Sequence, residues 1–97
     1  MEFSLDDIIV GDNPETSRFE ATLDGTLMAV VQYERTGDQI IFTHTIVAEA
    51  AEGYGVGGKL VKFALDKART EDLAVIPQCP FVQSYLRRHP QYGDLVR

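Results

Sequence analysis

The segment Glu52-Gly53-Tyr54-Gly55-Val56-Gly57-Gly58-Lys59, called the glycine turn below, links strand-like residues to an amphipathic helix. Four of its eight residues are glycines, which lack a Cβ and let the backbone approach a ligand closely. The first N–H groups of a helix point outward, and the helix dipole adds positive potential there. The turn therefore indicates a site for phosphate or pyrophosphate.

Upstream of the glycine turn, the sequence predicts an antiparallel meander. Its three strands cover residues 18–23, 26–34 and 39–48. The first alternates polar and apolar residues, and the third is rich in β-branched residues. Asp24-Gly25 between the first two strands is a hairpin signal.

Residues 1–16 are predicted to form an acidic, irregular N-terminal arm. Within it, Ile8-Ile9-Val10 could form a short edge strand or simply pack as part of the arm. Gly11-Asp12-Asn13-Pro14 has the composition of a turn. We therefore expect regular structure to begin near Arg18.

Downstream of the glycine turn, apolar residues at helical spacing predict a helix over residues 58–70. Leu73-Ala74-Val75-Ile76 predicts a buried strand, and a right-handed crossover would make it parallel to the strand 39–48. A second helix follows and should end near His89, because Pro90 cannot continue it. The predicted fold class is α+β, with residues 1–97 in one domain.

Composition limits the possible partners. The net charge of −6 and the isoelectric point near 4.7 argue against binding nucleic acid or anionic membranes, whereas a small amine or basic peptide is compatible. The single cysteine, Cys79, excludes an internal disulfide and a cysteine-cluster metal site, and we expect no metal. The acidic N-terminus is unlike a signal peptide, and no apolar run could span a membrane, so the expected location is cytoplasmic.

Three kinds of phosphate ligand compete for the glycine turn. A dinucleotide turn needs G-x-G-x-x-G within a larger doubly wound sheet, which this chain is too short to form. A nucleotide P-loop needs Ser or Thr after its lysine to hold magnesium, and Leu60 stands there. The third candidate is the pyrophosphate turn R/Q-x-x-G-x-G/A of acyl-CoA-dependent N-acetyltransferases of the GNAT type. Residues 52–57 match both glycines of that pattern. A flexible turn without a ligand is the remaining alternative.

The chain also resembles the small, stand-alone GNAT-like proteins over almost its whole length, from Ser17 to Val96. Three motifs carry the resemblance. They are Phe42-Thr43-His44-Thr45, the glycines of residues 53–58, and Cys79-Pro80-Phe81-Val82 running to Arg87-Arg88-His89-Pro90. The resemblance implies a minimal mixed sheet splayed between the parallel strands 39–48 and 73–77, with acetyl-CoA in the opening. It also implies acetyl transfer from acetyl-CoA to an amine.

On this resemblance, the predicted cofactor-binding residues belong to the third strand, the glycine turn and the last helix. They are Ile46, Val47, Gly53, Tyr54, Gly55, Val56, Gly57, Gly58, Lys59 and Tyr85. Larger members of the family often use a tyrosine on that helix to protonate the departing CoA thiolate, and Tyr85 is otherwise a core residue. Arg87 and Arg88 could reach a CoA phosphate or remain solvated.

Cys79 and His44 are the predicted catalytic residues. Cys79 would lie at a helix N-terminus, where the dipole favours the thiolate. It could accept the acyl group, line the pocket or be a buried small hydrophobe. His44 is expected on the strand face that carries Phe42 and Ile46, where it could accept a proton from an amine or thiol. A hydrogen-bonded core histidine is the alternative.

Two features depart from the family pattern. Glu52 replaces the usual Arg or Gln, and its carboxylate should repel a pyrophosphate. The chain also lacks the helices that shape the acceptor site between the first two strands of full-size GNAT enzymes. Both departures favour an alternative function, a non-catalytic acyl-CoA-binding sensor or interaction module.

Overall fold

The computed structural model describes residues 2–97, which form a five-stranded mixed sheet and two α-helices. The strands are β1 (Ile9–Asn13), β2 (Arg18–Leu23), β3 (Thr26–Thr36), β4 (Gln39–Val47) and β5 (Ala74–Pro77). The helices are α1 (Val56–Thr70) and α2 (Pro80–Arg88), with short 3-10 helices at Leu5–Asp7, Glu49–Ala51 and Pro90–Leu95. The strands lie in chain order, β1 to β4 antiparallel and β5 parallel to β4. The predicted α+β fold with a mixed sheet is confirmed.

The N-terminal arm is more regular than the sequence predicts. Residues 9–13 form β1, which pairs antiparallel with β2, so the predicted turn over residues 11–14 is wrong. Pairing with β2 supplies partners that the local composition does not reveal, and Asp12 accepts a hydrogen bond from the Tyr33 hydroxyl at 2.7 Å. The turn lies at residues 14–17, where Ser17 adopts a φ of 54°.

Helix α1 packs across the sheet and forms the core with it. Alternate residues of β2, Phe19, Ala21 and Leu23, are buried, as a half-buried strand requires. The buried residues of α1 repeat at helical spacing and include Leu60, Val61, Ala64, Leu65 and Ala68. Burial of each large apolar side chain contributes roughly 1.5–3 kcal/mol, so this layer holds the sheet and α1 together.

A β-bulge in β4 reverses which side chains face the helices. Gln32 pairs with His44 and Tyr33 with Phe42, so Thr43 is the extra residue. Phe42 is 1% exposed and lies in the core, whereas His44 is exposed and Ile46 is 60% exposed. The prediction that His44 shares a face with Phe42 is therefore wrong, because the extra residue shifts the two-residue alternation by one.

Strands β4 and β5 stay together over only part of their length. Their pairing runs from Gln39 and Ala74 to Phe42 and Pro77. The chain then turns into α2, and the N–H groups of Gln78 and Cys79 both donate to the Phe42 carbonyl, at 3.1 and 3.0 Å. Beyond this point β4 continues, and its residues 44–47 pair with β3 alone. The two parallel strands are thus splayed, and an opening begins at Phe42.

The C-terminal segment returns to the sheet. Tyr92 and Leu95 are buried, and Val96 forms a parallel bridge with Val75 of β5. No helix within residues 2–97 is both long enough and apolar enough to cross a bilayer.

Candidate functional site

A cavity of about 520 Å³ lies between residues 43–47 of β4, the glycine turn and α2. This volume falls within the roughly 300–1,000 Å³ that is usual for small-molecule sites. Its lining residues are Thr45, Val47, Ala51, Glu52, Gly53, Gly55, Val56, Gly57, Gly58, Phe81 and Arg88. The structure therefore brings together the strand, the turn and the second helix that the sequence assigned to one site.

The glycine turn has a backbone that requires glycine. Gly53 and Gly55 have φ of 82° and 83°, in the left-handed region that glycine adopts without strain. Gly55 is the N-cap residue, so α1 begins at Val56, two residues before the predicted start. The Lys59 N–H donates to the Gly55 carbonyl at 3.0 Å. The first N–H groups of an α-helix have no carbonyl acceptor within the helix. The N–H groups of Val56, Gly57 and Gly58 are therefore available to a ligand at this end of the cavity.

Gly57 is required for a different reason, which is close packing. A Cβ at this position would lie 2.6 Å from Cζ of Phe81 and 3.2 Å from Cγ2 of Val47. The start of α1 thus lies directly against α2 and β4, and no side chain fits between them. This contact fixes the cavity wall where the three elements meet.

Two opposite charges line the cavity. Glu52 belongs to the glycine turn, and Arg88 belongs to the last turn of α2. Arg88 Nε donates to the Ser84 carbonyl at 3.4 Å, which leaves further guanidinium donors for other partners. Arg87 is also exposed but does not line the cavity. The structure thus separates the two arginines that the sequence treated together.

Cys79 lies at the base of the opening, as the N-cap residue of α2, with Pro80 in the first helical turn. Its side chain is 3% exposed, and its Sγ lies 3.1 Å from Oγ1 of Thr45 in a hydrogen bond. Thr45 lines the cavity, so it stands between the thiol and the open space. The sequence did not single out Thr45, because it is the bulge at Thr43 that turns this residue toward the helices.

The structure does not bring Cys79 and His44 together. His44 is exposed on the face of β4 opposite the face of Thr45 and Cys79. Ile46 lies on the same outer face as His44, so of the predicted pair Ile46 and Val47 only Val47 lines the cavity. A direct proton transfer between the thiol and the imidazole therefore has no geometric support.

Tyr85 lies next to the glycine turn, where its Cε2 is 3.8 Å from the position that a Cβ of Gly58 would take. Its ring stacks on His89, with centroids 3.8 Å apart and planes 13° apart. Burial raises the pKa of the Tyr85 phenol above its usual value, so the hydroxyl is protonated at neutral pH. Tyr85 does not itself line the cavity.

The side chains of Lys59 and Tyr54 contact the N-terminal residues. Lys59 Nζ donates to the carbonyl of Leu5 at 2.6 Å and to that of Ile8 at 2.8 Å. The Tyr54 ring stacks on Phe3 with a centroid separation of 4.5 Å. Within residues 2–97, no three His, Cys, Asp or Glu side chains are grouped so that they could hold a metal ion.

A family model described as GCN5-related N-acetyl-transferase matches residues 18–95. Protein NATD1 of Mus musculus is 34% identical over 85 residues, which are 86% of this chain and 77% of the mouse protein. Protein NATD1 of Homo sapiens is 38% identical over 63 residues, which are 64% of this chain and 56% of the human protein. The similarity to the human protein thus spans little more than half of that protein.

Solved structures share the architecture. The solution structure of a GCN5-like protein from Staphylococcus aureus superimposes with a TM-score of 0.73 at 25% identity, covering 94% of this chain and 89% of that one. The crystal structure of a ribosomal-protein-alanine N-acetyltransferase from Brucella melitensis biovar Abortus superimposes with a TM-score of 0.59 at 20% identity. It covers 76% of this chain and 59% of that one, and this likeness concerns the fold.

Proposed function

The chain belongs to the GCN5-related N-acetyltransferase family, and we propose that it binds acetyl-CoA in the cavity beside the glycine turn and transfers the acetyl group to an amine. The observation that carries this proposal is the meeting of two features at one cavity. The first turn of α1 presents backbone N–H groups there, and residues 43–47 of β4 have separated from β5 on the same side. One feature suits a pyrophosphate, and the other suits an extended chain that pairs with a strand edge.

Different groups of the cavity bind different parts of acetyl-CoA. The N–H groups of Val56, Gly57 and Gly58 donate hydrogen bonds to the pyrophosphate oxygens, and Val47 with the free edge of β4 holds the extended pantetheine arm. Arg88 adds a positive charge in the same cavity. That charge offsets Glu52, the residue that departs from the family pattern.

The acetyl transfer is best described as direct attack by the amine. The amine nitrogen attacks the acetyl carbonyl carbon, the bond from that carbon to sulfur breaks, and the amine loses a proton. His44 is an exposed base on the outer face of β4 and accepts that proton when the amine approaches from this face. The sulfur leaves as the CoA thiolate, and no proton is routed through Tyr85, because Tyr85 does not line the cavity.

In this route Cys79 lies behind Thr45 at the base of the site and is not the nucleophile. Its side chain is 3% exposed, its thiol is hydrogen-bonded to Thr45, and His44 lies on the opposite face. The acceptor is a small amine or a basic peptide, in keeping with a net charge of −6.

A second candidate function is that of an acyl-CoA-binding sensor or interaction module without turnover. It is favoured by the separation of Cys79 from His44 and by the Glu52 carboxylate in the cavity. The two functions share the binding step and differ only in the transfer.

The experiment is calorimetric titration of acetyl-CoA, followed by mass spectrometry of a panel of amines and basic peptides incubated with protein and acetyl-CoA. We expect binding that Gly57→Ala weakens strongly and Gly11→Ala leaves unchanged, since a Cβ at Gly11 meets open space. Acetylated product that His44→Ala reduces, with binding intact, supports the enzyme. Binding without any acetylated product supports the sensor, and absence of binding overturns both.

A further inference from the structure

We propose that Lys59 is a positioning residue, which holds the glycine turn in shape by binding a strap formed by residues 3–8. The inference rests on the proposed acetyl-CoA site, because that site needs the turn in one conformation. It assigns Lys59 a role that acts through the chain's own backbone rather than through a phosphate.

The first support is the contact of the Lys59 ammonium. Two of its three donors are bound to the carbonyls of Leu5 and Ile8, at 2.6 and 2.8 Å. Both are charge-assisted hydrogen bonds between segments more than fifty positions apart in the chain, and such bonds are stronger than neutral ones. The ammonium is thus already engaged on the strap.

The second support is that the strap touches the turn itself. The Leu5 side chain lies 3.3 Å from the position that a Cβ of Gly55 would occupy, so it packs directly on the N-cap residue of α1. Phe3 stacks on Tyr54, the residue between the two glycines of positive φ, with planes 25° apart. Neither Leu5 nor Phe3 lines the cavity, so the strap supports the turn and leaves the ligand side open.

The third support is that the strap is itself ordered. Ser4 and Asp7 form a reciprocal capping box, in which the Asp6 N–H donates to Ser4 Oγ and the Ser4 N–H donates to Asp7 Oδ2. Ile8 is 3% exposed and anchors the strap in the core. These contacts therefore hold the two carbonyls that accept hydrogen bonds from Lys59, independently of Lys59 itself.

A turn of this composition needs such support. Glycine has the largest backbone freedom of any residue, and ordering Gly53 and Gly55 at the moment of ligand binding would weaken the affinity. A turn that is already fixed by Lys59, Leu5 and Phe3 avoids that loss. The opposing explanation is that the Lys59 ammonium leaves the strap and contacts a phosphate directly, as its place after Gly58 would allow.

The test is a double-variant cycle read by acetyl-CoA affinity at low and at high salt. The variants are Lys59→Met, which keeps the apolar stem, a deletion of residues 2–6, which removes Phe3 and Leu5 but keeps Ile8, and the two combined. If the deletion does not fold, the pair Phe3→Ala and Leu5→Ala replaces it. Lys62→Met is the matched control, since it removes the same charge from the same helix, where the ammonium is bound to Asp66 at 2.7 Å.

We expect Lys59→Met and the deletion each to weaken acetyl-CoA binding by about tenfold. The combined variant should lose no more affinity than the single variant with the larger loss. The loss should be equal at low and high salt, and Lys62→Met should stay within about twofold of the parent. Additive losses, or a Lys59→Met loss that disappears at high salt, would mean direct phosphate contact and would overturn the inference.

A second measurement separates this inference from the proposed function. Amide hydrogen exchange of the hydrogen-bonded N–H groups of Tyr54 and Lys59, which donate to the carbonyls of Ala51 and Gly55, should rise in the ligand-free protein in Lys59→Met and in the deletion, but not in Lys62→Met. A rise supports the strap even if acetyl-CoA does not bind. Unchanged exchange in Lys59→Met overturns the strap even if acetyl-CoA binds.

Discussion

Strand β4 has two halves with different surroundings. Residues 39–42 pair with β3 on one side and β5 on the other, and Ile40 and Phe42 are 2% and 1% exposed. Residues 43–47 have separated from β5; beyond the bulge at Thr43, residues 44–47 pair with β3 and alternate between the outer face and the cavity. We call these the closed half and the open half.

The difference shows how one strand can stabilise a fold and also present a binding edge. In the closed half, the hydrogen-bonding groups of both edges are used within the sheet. In the open half, one edge is available to an extended ligand. The change occurs at Thr43, the bulge, next to Pro77, which ends β5 and has no N–H to donate.

The largest expected effect is that of Phe42→Ala in the closed half. Removal of a fully buried aromatic ring should lower the free energy of unfolding by about 3–5 kcal/mol, measured by urea denaturation. Ile46→Ala in the open half is the control and should change it by less than about 0.5 kcal/mol, because Ile46 is 60% exposed. Equal losses in the two variants would show that the halves do not differ in this way.

Gly57→Ala should combine a stability effect with a binding effect. The added Cβ would lie 2.6 Å from Phe81 Cζ and 3.2 Å from Val47 Cγ2, so the Phe81 ring or the start of α1 must shift. We expect a loss of about 1–3 kcal/mol in the free energy of unfolding and a large loss of acetyl-CoA affinity. Adding Phe81→Leu, which removes Cζ, should restore part of the stability. A double variant no more stable than Gly57→Ala would contradict this contact.

Arg88→Gln should weaken acetyl-CoA binding without a measurable change in stability. Arg88 is exposed and lines the cavity, so we expect about a tenfold loss of affinity at low salt, and less at high salt, where charges are screened. Arg87→Gln removes the same charge from the same helical turn and should have little effect. Equal losses in both variants would indicate a long-range effect of net charge.

The smallest expected effect is that of Thr45→Val in the open half. It removes the hydrogen bond to the Cys79 thiol and keeps the side-chain shape, so the free energy of unfolding should change by about 1 kcal/mol or less. Alkylation of Cys79, followed by mass spectrometry, should be slow in the parent because the side chain is 3% exposed. An acetyl group found on Cys79 after incubation with acetyl-CoA alone would return Cys79 to the role of nucleophile.

The periodic parts of the fold could be predicted from the sequence. The meander and α1 follow from two-residue and helical repeats that the structure confirms. The parallel pairing of β4 with β5 follows from the strand–helix–strand order and its right-handed crossover. Strand β1 could be predicted only in part. Ile8-Ile9-Val10 allows a short edge strand, but Gly11, Asp12 and Asn13 are turn-forming residues, and their pairing with β2 depends on distant residues. The sequence predicts the helix start at Gly58 rather than Val56, because Gly55 is an N-cap through its left-handed backbone, which leaves no side-chain signal.

The site was predicted less completely, for a related reason. The glycine turn is local, and its glycines indeed line a cavity together with Val47. The bulge at Thr43 has no sequence signature, so the faces of His44 and Thr45 were exchanged. The distinction between Arg87 and Arg88 depends on where α2 ends against the cavity, which only the packed structure defines.

The bridge between Val75 and Val96 bears on how this protein behaves at high concentration. β5 is the outer strand of the sheet, and an outer strand with free N–H and C=O groups can template pairing with another molecule. The returning C-terminal segment occupies that position at Val75 and is held there by the buried side chains of Tyr92 and Leu95. A tag or truncation that displaces this segment would therefore expose unpaired N–H and C=O groups of β5, and the protein would be prone to edge-to-edge aggregation.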